Sequence, residues 1–131
     1  MTHRELLVRT HSKEECLNIT NMVAEAVSQL GKDEGICLIQ VPHTTCGITL
    51  NEDADPDVIK DILRSLKNLV PDRGNYDHLE GNSPAHIKTS LVGSSVGVIL
   101  EGGHLLLGRW QGVFLCEFDG PRQRRVWLKI I

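Results

Sequence analysis

Apolar residues recur along this chain in two rhythms, and the switches between them mark its elements. Residues 4 to 10 alternate loosely and predict a first strand. Ser12-Lys13-Glu14-Glu15 then has the form of a capping box, in which Ser12 accepts from the Glu15 amide and Glu15 reaches back. A helix is expected to start there, with Cys16, Ile19, Val23, Val27 and Leu30 along one buried face and Gly31 as its left-handed stop. After Gly35 a short apolar run, Ile36 to Val41, predicts a buried strand that ends at Pro42.

Residues 43 to 50 mix β-branched side chains with one glycine, and an irregular strand or bulged hairpin is expected. Asp55-Pro56 supplies an N-cap and a first-turn proline for a second helix, whose face is Val58, Ile59, Ile62, Leu63, Leu66 and Leu69 and whose stop is Pro71. The polar stretch from Asp72 to Asn82 predicts a loop longer than simple connection requires. Ser83-Pro84 restarts a short helix that closes near Gly93. The remainder is strand-like: Val96 to Leu100, Leu105 to Leu107, Trp110 to Phe118 and Val126 to Ile131, with turns at Glu101-Gly102-Gly103-His104 and Asp119-Gly120-Pro121. Helices early and hairpins late predict an α+β fold with a largely antiparallel sheet.

The length of 131 residues fits one domain spanning 1–131, and neither a repeat nor a linker divides it. With 40% hydrophobic and 24% charged residues the chain has the composition of a folded domain rather than a disordered one. A net charge of -3 gives no global attraction to nucleic acid or anionic membrane, so neither is an expected partner. No secretion leader or membrane-spanning apolar stretch is evident, and a cytoplasmic location is expected. The four cysteines form no C-x-x-C pair and are read as free thiols; Cys16, Cys37 and Cys116 sit among apolar neighbours, whereas Cys46, close to His43, is the candidate for reactivity.

Three of six histidines, His43, His78 and His86, fall at element ends or in polar loops. Neutral imidazole is a common metal ligand, and three such ligands would leave a catalytic position open, although loop histidines are ordinarily just solvated. Their spacing matches no local metal motif, so only the fold could unite them. In Asn51-Glu52-Asp53-Ala54-Asp55 the acids complement a helix N-terminus; Glu52 and Asp53 exceed that need and are open to a base or hard-metal role. The hydroxyls of Thr44 and Thr45 beside His43, and Ser95 after a glycine, could hold a phosphate or carboxylate. Nucleotide-cradling glycine motifs and a serine-hydrolase elbow are absent. Arg122, Arg124, Arg125 and Lys129 form an acid-free tail that strand alternation would place partly in solvent, with phosphate binding as the alternative.

Together, His43-Thr44-Thr45 with Gly47, Asn51-Glu52, Asp55-Pro56, His78, the segment from Asn82 to Lys88 with Ala85-His86, Gly93 with Ser95, Gly108 with Trp110-Gln111, and Asp119-Gly120-Pro121-Arg122 resemble the small YjbQ-type proteins, a family of secondary thiamine-phosphate synthases. Arg109 departs from the threonine of the family's Gly-Thr-Trp-Gln form. The resemblance implies a two-layer, mostly antiparallel β-sandwich with two main helices, assembled as a homotrimer. It also implies a transferase that couples an aminopyrimidine diphosphate to a thiazole phosphate and releases pyrophosphate. His43, His78 and His86 would converge on a polar pocket as acid catalysts or as ligands to a divalent ion such as zinc or magnesium. Glu52 would serve as base or as outer partner of the metal, and Thr44, Thr45, Asn51, Ser95, Gln111 and Arg122 would contact the phosphorylated substrate. Two other readings of the same residues are a metal-dependent hydrolase of a phosphorylated or amide metabolite and a non-catalytic anion-binding trimer.

Overall fold

The computed structural model describes residues 3–131. Its elements in chain order are β1 (Arg4–Arg9), β2 (Glu15–Asn18), α1 (Thr20–Leu30), β3 (Gly35–Gln40), β4 (Cys46–Glu52), α2 (Pro56–Leu69), α3 (Ser83–Val92), β5 (Ser95–Glu101), β6 (His104–Leu105), β7 (Gln111–Glu117) and β8 (Gln123–Ile130). They build two antiparallel sheets, one ordered β1-β8-β3-β5-β6 and the other β2-β7-β4. Two main helices and a shorter third complete the expected α+β architecture.

The main core lies between the sheets, where Ile39, Val98, Val126 and Leu128 meet Ile48, Val113 and Leu115, and α1 adds Val23, Ala26 and Val27. Complete burial of each such side chain contributes about 1.5–3 kcal/mol from the hydrophobic effect. β7 is the middle strand of its sheet and is covered on both faces. Its Val113 and Leu115 enter the main core, while Phe114 and Cys116 face a second cluster with Ala85, Phe118 and the half-buried Ile59, Leu63 and Leu66 of α2. Burial on both faces explains why its sequence runs apolar without alternation.

Two local expectations are overturned. The helix does not start at Ser12: Glu15 accepts from the Ser12 amide at 2.8 Å, as in a capping box, yet it opens β2, and Cys16 and Leu17 pair with Cys116 and Leu115. Pairing with a strand a hundred residues away outweighs a local cap worth about 1 kcal/mol. The helix starts after Asn18 instead, whose side-chain oxygen accepts from the Thr20 amide at 3.1 Å, and the Thr20 hydroxyl ties α1 to β7 by accepting from Val113 N at 2.8 Å. Nor is the stretch after Pro42 bulged, because Cys46 to Glu52 pair in unbroken register with Glu117 to Gln111. Gly47 serves a close approach rather than a kink, since a Cβ there would stand 2.7 Å from the Gly93 carbonyl oxygen, which accepts from Ile48 N.

Candidate active site

Pro71 stops α2, and the loop that follows folds back when the Tyr76 hydroxyl donates to the Pro71 carbonyl at 2.6 Å. The return brings His78 over α3, where its ring meets His86 edge to face with centroids 5.4 Å apart. The two imidazoles line an open cleft of about 460 Å³ together with Asn75, Tyr76, Asp77 and Ser83. Proline in the first turn of α3 presents His86 on the outer side of that helix, while Pro84 and Ala85 face inward and are buried.

The N-terminus of α3 is fixed to the turn between β7 and β8. The Asn82 amide donates to Asp119 Oδ2 at 2.9 Å, and the half-exposed Arg122 guanidinium approaches the same oxygen at 3.2 Å. Arg122 Nε also donates to the Asp119 carbonyl at 2.9 Å. Among the described residues Asn82 Oδ1 is buried without a partner, and Asn82 lines a neighbouring cleft of about 260 Å³ together with Lys88, Glu14 and Phe118. Lys88 is 1% exposed, and its ammonium lies 2.6 Å from Glu14 Oε2, so its charge is paired within the protein.

A third polar group lies beneath this surface. Glu117 and Arg124 are buried and joined by two hydrogen bonds, and the Arg124 guanidinium also donates to the Thr45 hydroxyl at 2.9 Å. The Thr10 hydroxyl donates to Glu117 Oε1 at 2.8 Å, and the Asp119 amide donates to the other carboxylate oxygen at 3.0 Å. Burial alone would raise the Glu117 carboxyl, but these donors outweigh it and hold it below the usual carboxylate range. His43 stands at the margin of the network. β3 has diverged from β8 there, and His43 Nε2 accepts the Arg125 amide at 2.9 Å in place of a strand carbonyl. That bond assigns the ring proton to Nδ1. Burial, then the Arg124 charge, lowers the His43 pKa below 6.5 and favours the neutral ring.

His78 and His86 are therefore brought together within one chain, and His43 is not with them. Among the described residues no three histidine, cysteine or carboxylate side chains stand in a metal-binding group. The three-histidine site does not close within a single chain, and Nε2 of His43 is already an acceptor. Thr44 is exposed, whereas Thr45 is buried and holds Arg124, which removes it from the surface that a substrate could reach. Asn51 Oδ1 accepts from its neighbour's amide, Glu52 N, at 2.8 Å, and Gln111 Oε1 accepts from Gly108 N at 2.8 Å, so both close local turns. Ser95 is exposed at the start of β5. Glu52 lines a different cleft, beside Asp53, Asp55 and Phe114. Cys46 is fully buried, and burial pushes its thiol up to about 12, so both access and ionisation disfavour the reactivity expected of it. Sequence reasoning missed Glu117 as the partner of Arg124. The available signal was an arginine in phase with Val126, Leu128 and Ile130, on the inward side of a strand.

The fold recurs in solved structures. The family described as UPF0047 protein YjbQ-like matches residues 4–131. UPF0047 protein MJ1081 of Methanocaldococcus jannaschii is 52% identical over 124 residues, with 95% of this chain and 90% of that protein covered. UPF0047 protein YugU of Bacillus subtilis is 46% identical and covered to 98% in both directions. The crystal structure of an uncharacterized conserved YjbQ/UPF0047 protein from Clostridium acetobutylicum superposes with a TM-score of 0.95 at 51% identity, over 98% of this chain and 99% of that one. A family match across nearly the whole chain, together with relatives sharing about half of its residues, leaves one assignment: the chain belongs to the YjbQ/UPF0047 family.

Proposed function

We propose that this protein is a small-metabolite transferase of the thiamine-phosphate synthase type, with its chemistry in the His78–His86 cleft. The observation that carries the reading is the pair of imidazoles 5.4 Å apart in an open cleft, close enough for one bound group to reach both. In the reaction, a thiazole nitrogen forms a bond to the methylene carbon of the aminopyrimidine diphosphate while the carbon–oxygen bond breaks and pyrophosphate leaves. Negative charge grows on the departing oxygen. A preorganised proton donor or cation beside that oxygen lowers the barrier, and His78 or His86 is suited to donate the proton. Arg122, tied to the same helix end through Asp119 and Asn82, supplies a half-exposed positive charge.

Homotrimer assembly belongs to the same proposal. The outer face of the five-stranded sheet leaves Leu7, Ile36 and Ile99 between 50% and 55% exposed, an apolar surface of the kind that subunit contact covers. The reaction is tested by following pyrophosphate and coupled product with each substrate alone and with both. Formation of both products only when both substrates are present supports the proposal. Release of phosphate from one substrate alone would replace it with a hydrolase, and thermal stabilisation by pyrophosphate without turnover would replace it with an anion-binding protein.

A further inference from the structure

Cys16 and Cys116 are direct cross-strand partners in β2 and β7. The Ile19 amide donates to the Val113 carbonyl at 2.8 Å, and hydrogen-bonded pairs alternate along an antiparallel ladder, so the Cys16–Cys116 pair falls in a non-hydrogen-bonded register. In that register side chains approach most closely, with Cα atoms about 4.5 Å apart, inside the range a disulfide spans. The two sulfurs are already 3.4 Å apart. Their exposure differs in a useful way. Cys116 is 2% exposed, whereas Cys16 is half-buried and lines a cleft of about 360 Å³ with Asn18, Phe114 and, from α2, Ile59 and Leu63. A small reagent entering beneath α2 reaches Cys16 first and finds Cys116 directly behind it. The other two cysteines, Cys37 and Cys46, are fully buried.

We propose that Cys16 and Cys116 are a redox modification site, closing to a reversible cross-strand disulfide with a small-molecule disulfide as oxidant. In the first step deprotonated Cys16 attacks the reagent: a Cys16–reagent bond forms, the reagent's own sulfur–sulfur bond breaks, and one reagent thiolate leaves and takes up the proton. In the second step the Cys116 sulfur attacks the Cys16 sulfur, gives up its proton, and the second reagent thiol departs. Two protein thiols are oxidised, and one small disulfide is reduced to two thiols. The new bond fastens β2, an edge strand, to the middle strand of its sheet and fixes the floor of the cleft under α2. It also closes a loop of about a hundred residues, which restricts the unfolded chain strongly.

The test treats the native protein with oxidised glutathione, blocks remaining thiols after unfolding, and maps the peptides by mass spectrometry. The expected result is a native chain lighter by two hydrogens, with the Cys16 peptide joined to the Cys116 peptide and with Cys37 and Cys46 still reduced. Dithiothreitol restores the original mass. The oxidised form melts roughly 5 °C or more above the reduced one, and Cys116→Ser stops at a glutathione adduct on Cys16. A wild-type protein that accumulates that adduct without closing, or that stays reduced on all four cysteines, overturns the proposal. The wild-type map decides the question even if Cys116→Ser fails to fold.

Discussion

Glu117 and Arg124 hold opposite charges where water does not reach, so each depends on the other. Removing one partner of such a pair leaves an uncompensated buried charge, and Arg124→Met is expected to cost about 3–5 kcal/mol in urea denaturation. The double variant Glu117→Leu with Arg124→Met should cost clearly less than the sum of the single changes, which a double-mutant cycle measures. His43 contributes differently. Its folded pKa lies below the ordinary 6.5, so the unfolded chain binds the proton more readily. Its stabilisation is complete above that ordinary value and is lost as pH falls through the depressed one. The midpoint of thermal unfolding should therefore decrease as pH drops below 6.5, and His43→Gln, whose amide oxygen can still accept the Arg125 bond, should flatten that part of the profile. Below pH 4.5 a second loss follows as Glu117 protonates, because its folded pKa is also depressed. At this scale the sequence was informative about which residues are polar and unusual, but not about their company. His43 and Arg125, or Asn82 and Asp119, meet only because strands far apart in sequence become neighbours.

α2 has a strong apolar stripe and a good cap, with Asp55 accepting from the Asp57 amide at 2.9 Å, yet none of its side chains is fully buried. α1, by contrast, buries Val23, Ala26 and Val27. Helical stability in proteins comes chiefly from packing, so α2 is the element expected to open first. Hydrogen exchange should show α2 amides exchanging through a lower-energy opening than those of α1. Leu63→Ala should cost about 1 kcal/mol, against about 2–5 for Leu128→Ala in the main core. Both helices were legible from spacing because their apolar positions recur within a single element. The start of α1 was misread because a capping box is judged locally, whereas the pairing of Cys16 with Cys116 is not visible to local inspection. β7 was recognisable as a strand, but the need to cover both its faces became clear only once α2 and α3 were placed over Phe114 and Phe118.

At the scale of the whole molecule the two sheets and three helices bring the Asp72–Asn82 loop, the start of α3 and the β7–β8 turn into one polar region. The loop's unusual length announced it in the sequence, and the converging partners did not. Of the three histidines singled out, the fold unites His78 and His86 and assigns His43 to the end of the β3–β8 ladder. The exposed sheet face makes its own prediction. Ile36→Lys combined with Ile99→Lys, on neighbouring strands, should shift sedimentation toward the monomer while leaving circular dichroism unchanged. The role of the histidine pair is tested by kcat/KM for coupling an aminopyrimidine diphosphate to a thiazole phosphate in wild type, His78→Ala, His86→Ala and the surface control His104→Ala. The proposed role for the pair predicts that each of the first two variants loses on the order of 10²-fold or more while the control is unaffected. Unchanged turnover in both histidine variants would contradict it.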